Sequence, residues 1–327
     1  MTPLPDPLAA ADAARQAQAL IDACDRVLLG QGVLTRTVVT ALVAGGHVLL
    51  EGLPGLGKTE LVKALGALTG CEHRRIQFTP DLLPSDITGT QVLEQGSLQF
   101  RQGPVFAQLV LADEINRASP KTQAALLEAM AERTVTVLGR THVLPDPFFV
   151  LATQNPVELD GTYPLPEAQL DRFLMKIQVL GVGPETLARL VMERPDGRPP
   201  APAAVMDPSG LRRLTAAARA VAVPEAVARW IAALVTATRP ELPDAPACSK
   251  ALVRWGCGPR AALALAAAAR AAALIAGRPA AGFADVRALA PAVLAHRLVP
   301  AYEAGLQGRD ARSVVDELLS LVPELPR

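Results

Sequence analysis

Residues 47–69 read HVLLEGLPGLGKTELVKALGALT. An apolar, β-prone run leads into a glycine-rich turn, and the turn opens directly into a helix-forming run. The turn, residues 52–59, is a complete G-x4-G-K-T. In that strand–loop–helix setting it predicts a phosphate-binding loop: glycine lets the backbone wrap an anion, and the amides and dipole of a helix N-terminus favour negative charge. Gly52, Pro54, Gly55, Leu56, Gly57, Lys58, Thr59 and Glu60 are therefore the candidate nucleotide-binding residues. Lys58 is placed to reach the β- and γ-phosphates of ATP, and Thr59 to ligate Mg²⁺.

Outward from the loop, further runs read as strands: HRRIQF, LVLADE, FFVLAT and LMKIQVL. They are mostly apolar or β-branched, as strands buried on both faces are. Helical stretches at 58–69, 119–132 and 167–172 alternate with them, with Ser119 as N-cap and Pro120 at the first helical position. This alternation predicts an α/β fold with a parallel sheet between helices. Residues 88–104 and 134–147 interrupt it as two β-prone insertions, the second turning near Gly139. After Gly181–Gly183 the pattern turns helical, with a Pro-rich stretch at 194–208 and helices expected at 209–220, 224–238, 260–276, 283–297 and 310–318. The expected organisation is an α/β unit over 1–183 and a small all-α unit over 184–327.

Four more positions carry candidate chemistry. LVLADE ends in Asp113 and Glu114, an acid for Mg²⁺ and an acid to orient and polarise the attacking water. Asn155 closes the strand FFVLATQ, where a neutral amide can hold that water or touch the γ-phosphate; a simple turn residue before Pro156 is the alternative. Arg172, in LPEAQLDRF, could reach the γ-phosphate of a neighbouring subunit or pair internally with Glu167 or Asp171. Arg260, in GCGPRAALAL, could reach back to the nucleotide or be a surface residue at a helix start.

Composition narrows the remaining possibilities. The 327 residues hold 32 Lys and Arg against 32 Asp and Glu, so no global charge favours nucleic acid or an anionic membrane. The first residues lack a basic segment followed by an apolar stretch, and the most apolar run, 261–275, is too short to span a bilayer. Cys24, Cys71, Cys248 and Cys257 have no CxxC spacing, and the four histidines are scattered. Reduced thiols, a cytoplasmic setting and no metal cluster are expected.

The order of loop, DE strand, Asn-tipped strand, DRF helix and GPRA helix resembles the AAA+ ATPases. The wording is similar to one branch, the MoxR family, in GHVLLEGLPGLGKTELVKALG, RIQFTPDLLPSDITG, LADEINRASPKTQAALLEAMAE, VLATQNPVELDGTYPLPEAQLDRFL and LAPAVLAHRL. In the lid, GCGPR departs from the family's usual small-Ser-Pro-Arg. The resemblance implies a five-stranded sheet in 5-1-4-3-2 order with a helical lid. Residues 88–104 then correspond to the helix-2 insert and 134–147 to the pre-sensor hairpin, both facing a pore or client. It also implies homo-oligomeric rings, commonly hexamers, with ATP between subunits. One protomer would supply Lys58, Thr59, Asp113, Glu114 and Asn155, the neighbour Arg172, and the protomer's own lid Arg260 as sensor 2. Lid motion sensed through Arg260 would couple nucleotide state to ring shape. Such proteins act as chaperone-like remodellers, often beside a von Willebrand A domain protein, to mature a protein client or insert its metal. A DNA-acting motor and an ATP-binding switch without turnover are the rival readings. The hairpin TVTVLGRTHVL carries only Arg140 and His142 against the first, and the Asp113–Glu114 pair argues against the second.

Overall fold

The structure is a computed structural model describing residues 7–52, 57–94, 97–155, 161–194, 196–197, 199 and 201–324. Its centre is a parallel sheet of β1 (Val48–Glu51), β2 (His73–Gln77), β5 (Leu109–Asp113), β8 (Phe149–Gln154) and β9 (Met175–Gln178), ordered β2-β5-β8-β1-β9. Counting only these strands along the chain, the order is 5-1-4-3-2, as the resemblance implied. Successive side chains point to opposite faces of a strand, and the burial follows that rule. Val48, Leu50, Leu109, Leu111, Phe149 and Leu151 enter one buried cluster, while Leu49, Val110, Ala112, Val150 and Ala152 enter the other. The sheet edge, β2, carries exposed Arg74 and Arg75, and charge on an edge strand discourages further pairing.

On the first face lie α1 (Pro7–Val27), α2 (Gly32–Ala44) and α3 (Lys58–Thr69). The second face holds α4 (Pro84–Thr88), α5 (Pro120–Glu132) and two hairpins, β3 (Gly89–Glu94) with β4 (Ser97–Gln102) and β6 (Thr134–Val137) with β7 (Arg140–Val143). These hairpins fall within the two insertions read from the sequence. The turn of the first, Gln95–Gly96, lies outside the described residues. That of the second is Leu138–Gly139, both at positive φ (47° and 78°), the two-residue geometry that matches strand twist. Ser119 caps α5, its side chain accepting from Thr122 N–H.

After α6 (Glu167–Leu170) and α7 (Pro184–Glu193) come α8 (Pro208–Ala220), α9 (Glu225–Ala237), α10 (Ala247–Leu252), α11 (Pro259–Ile275), α12 (Phe283–Leu294), α13 (Tyr302–Leu306) and α14 (Ala311–Leu321). A short antiparallel ribbon, β10 (Val253–Trp255) with β11 (Val299–Pro300), adds to these helices. Alanine dominates α11, and Ala261, Ala264, Ala268 and Ala271 are buried in the same cluster as α1, α2 and α8. Small side chains at a helix contact let the axes approach closely.

Two buried histidines are held neutral by this packing. His47 Nδ1 accepts from Val150 N–H at 3.0 Å, so Nε2 carries the hydrogen and donates to the Met130 carbonyl at 3.3 Å. Burial, reinforced by Arg133, pushes its pKa down to about 3; burial and Arg297 do the same to His296. A group whose folded pKa lies below its unfolded value costs no stability above the unfolded value, near 6.5. Below it the unfolded chain binds more protons, so stability is lost as pH falls toward 3. Each histidine should remove up to about 1.4 kcal/mol per pH unit in that window. Melting measured from pH 7 to 5 should show this fall, and His296→Gln should flatten it. An unchanged slope in that variant would exclude His296 as a source.

Candidate functional site

The C-terminal ends of parallel strands are where α/β sheets bind ligands. Here β1, β5 and β8 end together, at Glu51, Asp113 and Gln154, around a cavity of about 390 Å³. Lys58, Thr59, Asp113, Glu114 and Asn155 all line it. Five candidates from three separated stretches of sequence thus converge on one space. Gly57 and Glu60 line it as well, whereas Pro54, Gly55 and Leu56 lie outside the described residues. Two glycines are required by their geometry. Gly57, at φ 82°, turns the loop into α3, and a Cβ on Gly52 would come within 2.8 Å of the Val179 carbonyl.

Lys58 Nζ donates to the Gly52 carbonyl at 2.7 Å, which aims the ammonium across the loop. Partial burial lowers its pKa, and the nearby carboxylates of Asp113 and Glu114 oppose that shift. Asp113 Oδ1 accepts from Thr153 Oγ at 2.6 Å, and the same hydroxyl accepts from Glu114 N–H at 2.9 Å. Thr153 therefore fixes both acids from the adjacent strand. Glu114 adopts φ 56°, ψ 49°, a left-handed conformation costly for a side chain other than glycine. That turn puts its carboxylate at the cavity rather than along the strand. Glu114 Oε2 then accepts from Gln77 Nε2 at 2.8 Å and Arg117 Nη1 at 3.1 Å. The backbone carbonyl of Asn155 accepts from Asn116 Nδ2 at 3.3 Å, which anchors the end of β8.

Arg75 is a cavity residue that the sequence reading did not select. It reaches from β2, donating to Asp113 Oδ2 from Nη2 at 2.8 Å and from Nε at 3.1 Å, and also contacts Gln77. The chemistry of the donor set fits Mg²⁺, a hard ion that takes oxygen ligands. Thr59 supplies a hydroxyl and Asp113 a carboxylate, one oxygen of which now faces a guanidinium. Cation binding at Asp113 must compete with Arg75. Arg75→Gln should therefore lower the Mn²⁺ concentration that half-saturates the nucleotide-free protein, read by Mn²⁺ paramagnetic resonance. Equal or weaker binding in the variant would exclude that competition.

The two remaining candidates lie elsewhere. Arg172 follows α6, half-buried, with Nη1 donating to the Leu127 carbonyl at 3.3 Å. It forms no ion pair among the described residues, so neither Glu167 nor Asp171 holds it. Arg260 is exposed at the N-terminus of α11, and its Nη1 stands 3.4 Å from Asp171 Oδ2. Asp171 is gripped more closely by buried Arg297, at 2.8 Å. Arg260 is not among the residues that line the cavity of its own chain. The packing of α11 holds it beside Asp171, next to Arg172.

Comparison with known proteins agrees with this geometry. Residues 47–175 match the family described as "ATPase family associated with various cellular activities (AAA)", and residues 246–318 match the AAA lid domain. The chain is 43% identical to the Bacillus subtilis (strain 168) protein YeaC, described as uncharacterized, over 92% of each chain. It is also 43% identical to Chaperone MoxR1 of Mycobacterium tuberculosis, over 91% of this chain and 79% of that one. It is 36% identical to Protein MoxR of Paracoccus denitrificans, over 86% of this chain and 88% of that one. A crystal structure of a candidate ATPase from Cytophaga hutchinsonii superposes with a TM-score of 0.91 at 35% identity, covering 98% of this chain and 97% of that one.

Proposed function

The chain belongs to the MoxR branch of the AAA+ ATPases, and from that premise we propose that it hydrolyses Mg·ATP in a homo-oligomeric ring to remodel a protein client. The observation that supports this most is the convergence of Lys58, Thr59, Asp113, Glu114 and Asn155 on one cavity at the strand ends. Lys58 would hold the β- and γ-phosphates, while Glu114, fixed by Gln77 and Arg117, would orient water and polarise it as a base. Asn155 would hold that water from the other side. Mg²⁺, held by Thr59 and Asp113, would neutralise charge on the phosphate oxygens.

Arg172 would complete the site of the next protomer. Arg260 pairs with Asp171, the residue before Arg172 in the chain, so its role is proposed across the interface as well. We place six protomers in the ring, with a von Willebrand A domain protein and a client whose maturation or metal loading it assists. The α/β unit ends near residue 183 and the lid follows. The cytoplasm is the proposed setting: the four cysteines are buried free thiols, and no helix among the described residues is long and apolar enough to cross a membrane.

Phosphate release with and without Mg²⁺ tests the reading, with Lys58→Ala as control. That variant should lose turnover and bind ATP weakly, because no other described cation bonds to the loop. Wild-type activity in Lys58→Ala would refute the assignment of the cavity.

A further inference from the structure

At the opposite end of the sheet, where β8 begins, a second cavity of about 350 Å³ opens between α2, the Asp146–Phe148 segment and α8. Arg133, Arg212 and Arg219 line it against a single acid, Asp146. None of the three arginines forms an ion pair within 4.0 Å among the described residues. Arg133 is half-buried and fixed: Nη1 donates to the Phe148 carbonyl at 3.1 Å and Nη2 to the Gly45 carbonyl at 3.1 Å. Arg212 Nη1 donates to the Asp146 carbonyl at 2.8 Å. The Arg219 side chain makes no hydrogen bond among the described residues, yet lies over Gly45, where an added Cβ would stand 3.3 Å from its Nη2. Arg212, Thr215 and Arg219 share one face of α8, at i, i+3 and i+7.

The cluster is electrostatically incomplete. Burial lowers the pKa of Arg133, Asp146 opposes the shift, and the like charge of Arg219 adds to it. A crevice beside the cavity brings Arg219 next to Arg270, whose Nε is buried with no hydrogen-bond partner. Like charges gathered in a partly desolvated seam repel unless an anion joins them. Phe148 and Leu42 supply an apolar wall beside these donors, the mixture of surfaces that small-ligand pockets carry. The guanidinium forks suit a phosphate, which accepts paired hydrogen bonds.

We propose that this seam is a second anion site, for a phosphate-bearing small molecule, separate from the ATP cavity. The anion bridges Arg133 of the α/β layer to Arg212 and Arg219 of α8.

The probe is inorganic pyrophosphate, titrated calorimetrically into the full-length protein, its Lys58→Ala variant, Arg219→Gln and Arg213→Gln. Arg213 is on α8 but does not line the cavity. Binding should survive Lys58→Ala and Arg213→Gln and weaken about tenfold or more in Arg219→Gln, as loss of a charge-assisted contact predicts. Arg219→Gln removes no side-chain hydrogen bond among the described residues, so the fold has no reason to suffer, and circular dichroism checks that. Retention in Arg219→Gln with loss in Lys58→Ala would put pyrophosphate on the phosphate loop and overturn the site. No saturable binding would overturn it too. Equal binding of a dicarboxylate of similar length would overturn the phosphate class.

Discussion

Glu114→Gln should bind Mg·ATP with nearly wild-type affinity and hydrolyse it about 10²–10⁴ times more slowly. The size of the effect follows from how the side chain is held. Two donors, Gln77 and Arg117, fix Glu114 Oε2, and the strained backbone at φ 56° aims the residue into the cavity. An amide keeps the length and one acceptor oxygen, so the geometry persists. What it lacks is the charge needed to polarise water. Lys58 and Thr59 are untouched, so ground-state binding has no reason to fall. Single-turnover quench, with affinity from a fluorescent ATP analogue, separates the two quantities. An unchanged single-turnover rate would show that Glu114 does not handle the water.

Arg172→Ala should lose about 10³–10⁵ in hydrolysis while its own nucleotide affinity stays close to wild type. Arg172 does not line its own cavity, so its charge has no ground-state role there. Its described tether is one hydrogen bond to the Leu127 carbonyl, and losing that costs about 1 kcal/mol of stability. A structural role would therefore show as a small drop in melting temperature and little else. Action across an interface predicts complementation. Mixed with Glu114→Gln protomers, Arg172→Ala protomers create some interfaces with both groups intact, and those should regain turnover. No recovery in rings shown to exchange subunits would restrict Arg172 to its own chain. The same mixing with Arg260→Ala tests whether that arginine works from the same edge.

The legible parts of the site were the local ones. The helix expected over 58–69 is found as Lys58–Thr69, because the glycine turn that ends at Gly57 starts it and Gly70, in the left-handed conformation, stops it. The convergence of Asp113 with Lys58 followed from the motif order. Arg75 was not legible, although its strand was. Its target depends on the β2–β5 register, which sets Gln77 against Asp113, and no local pattern encodes a pairing 36 residues away. Helices α1 and α2 drew no assignment. The first is alanine-rich, so its buried stripe of Ala13, Ala17, Leu20, Ile21 and Cys24 is partly disguised by small side chains, and the second carries Val and Thr that also suit strands. The β10–β11 ribbon, three residues against two, is too short for any period to show. The surroundings of Arg260 were not legible either, because the path of α11 is decided by packing on α2, α8 and α12, not by its sequence motif.

That packing bears on how such a machine could do work. Helices α1 and α2 share one continuous apolar cluster with α8 and α11, so the two layers meet as an interior rather than as a hinge. Prising them apart would wet that interior, at roughly 7 kcal/mol for each 300 Å² uncovered. That cost returns when the surfaces close again, yet it disfavours every state in which the layers stand apart. A cheaper displacement would leave every subunit a rigid block and, in the proposed ring, would let neighbouring blocks slide where Arg172 and Arg260 are proposed to meet the next protomer. Force on a client would then come from the changing tilt of whole subunits, carrying the hairpins β3–β4 and β6–β7 with them as fixed levers.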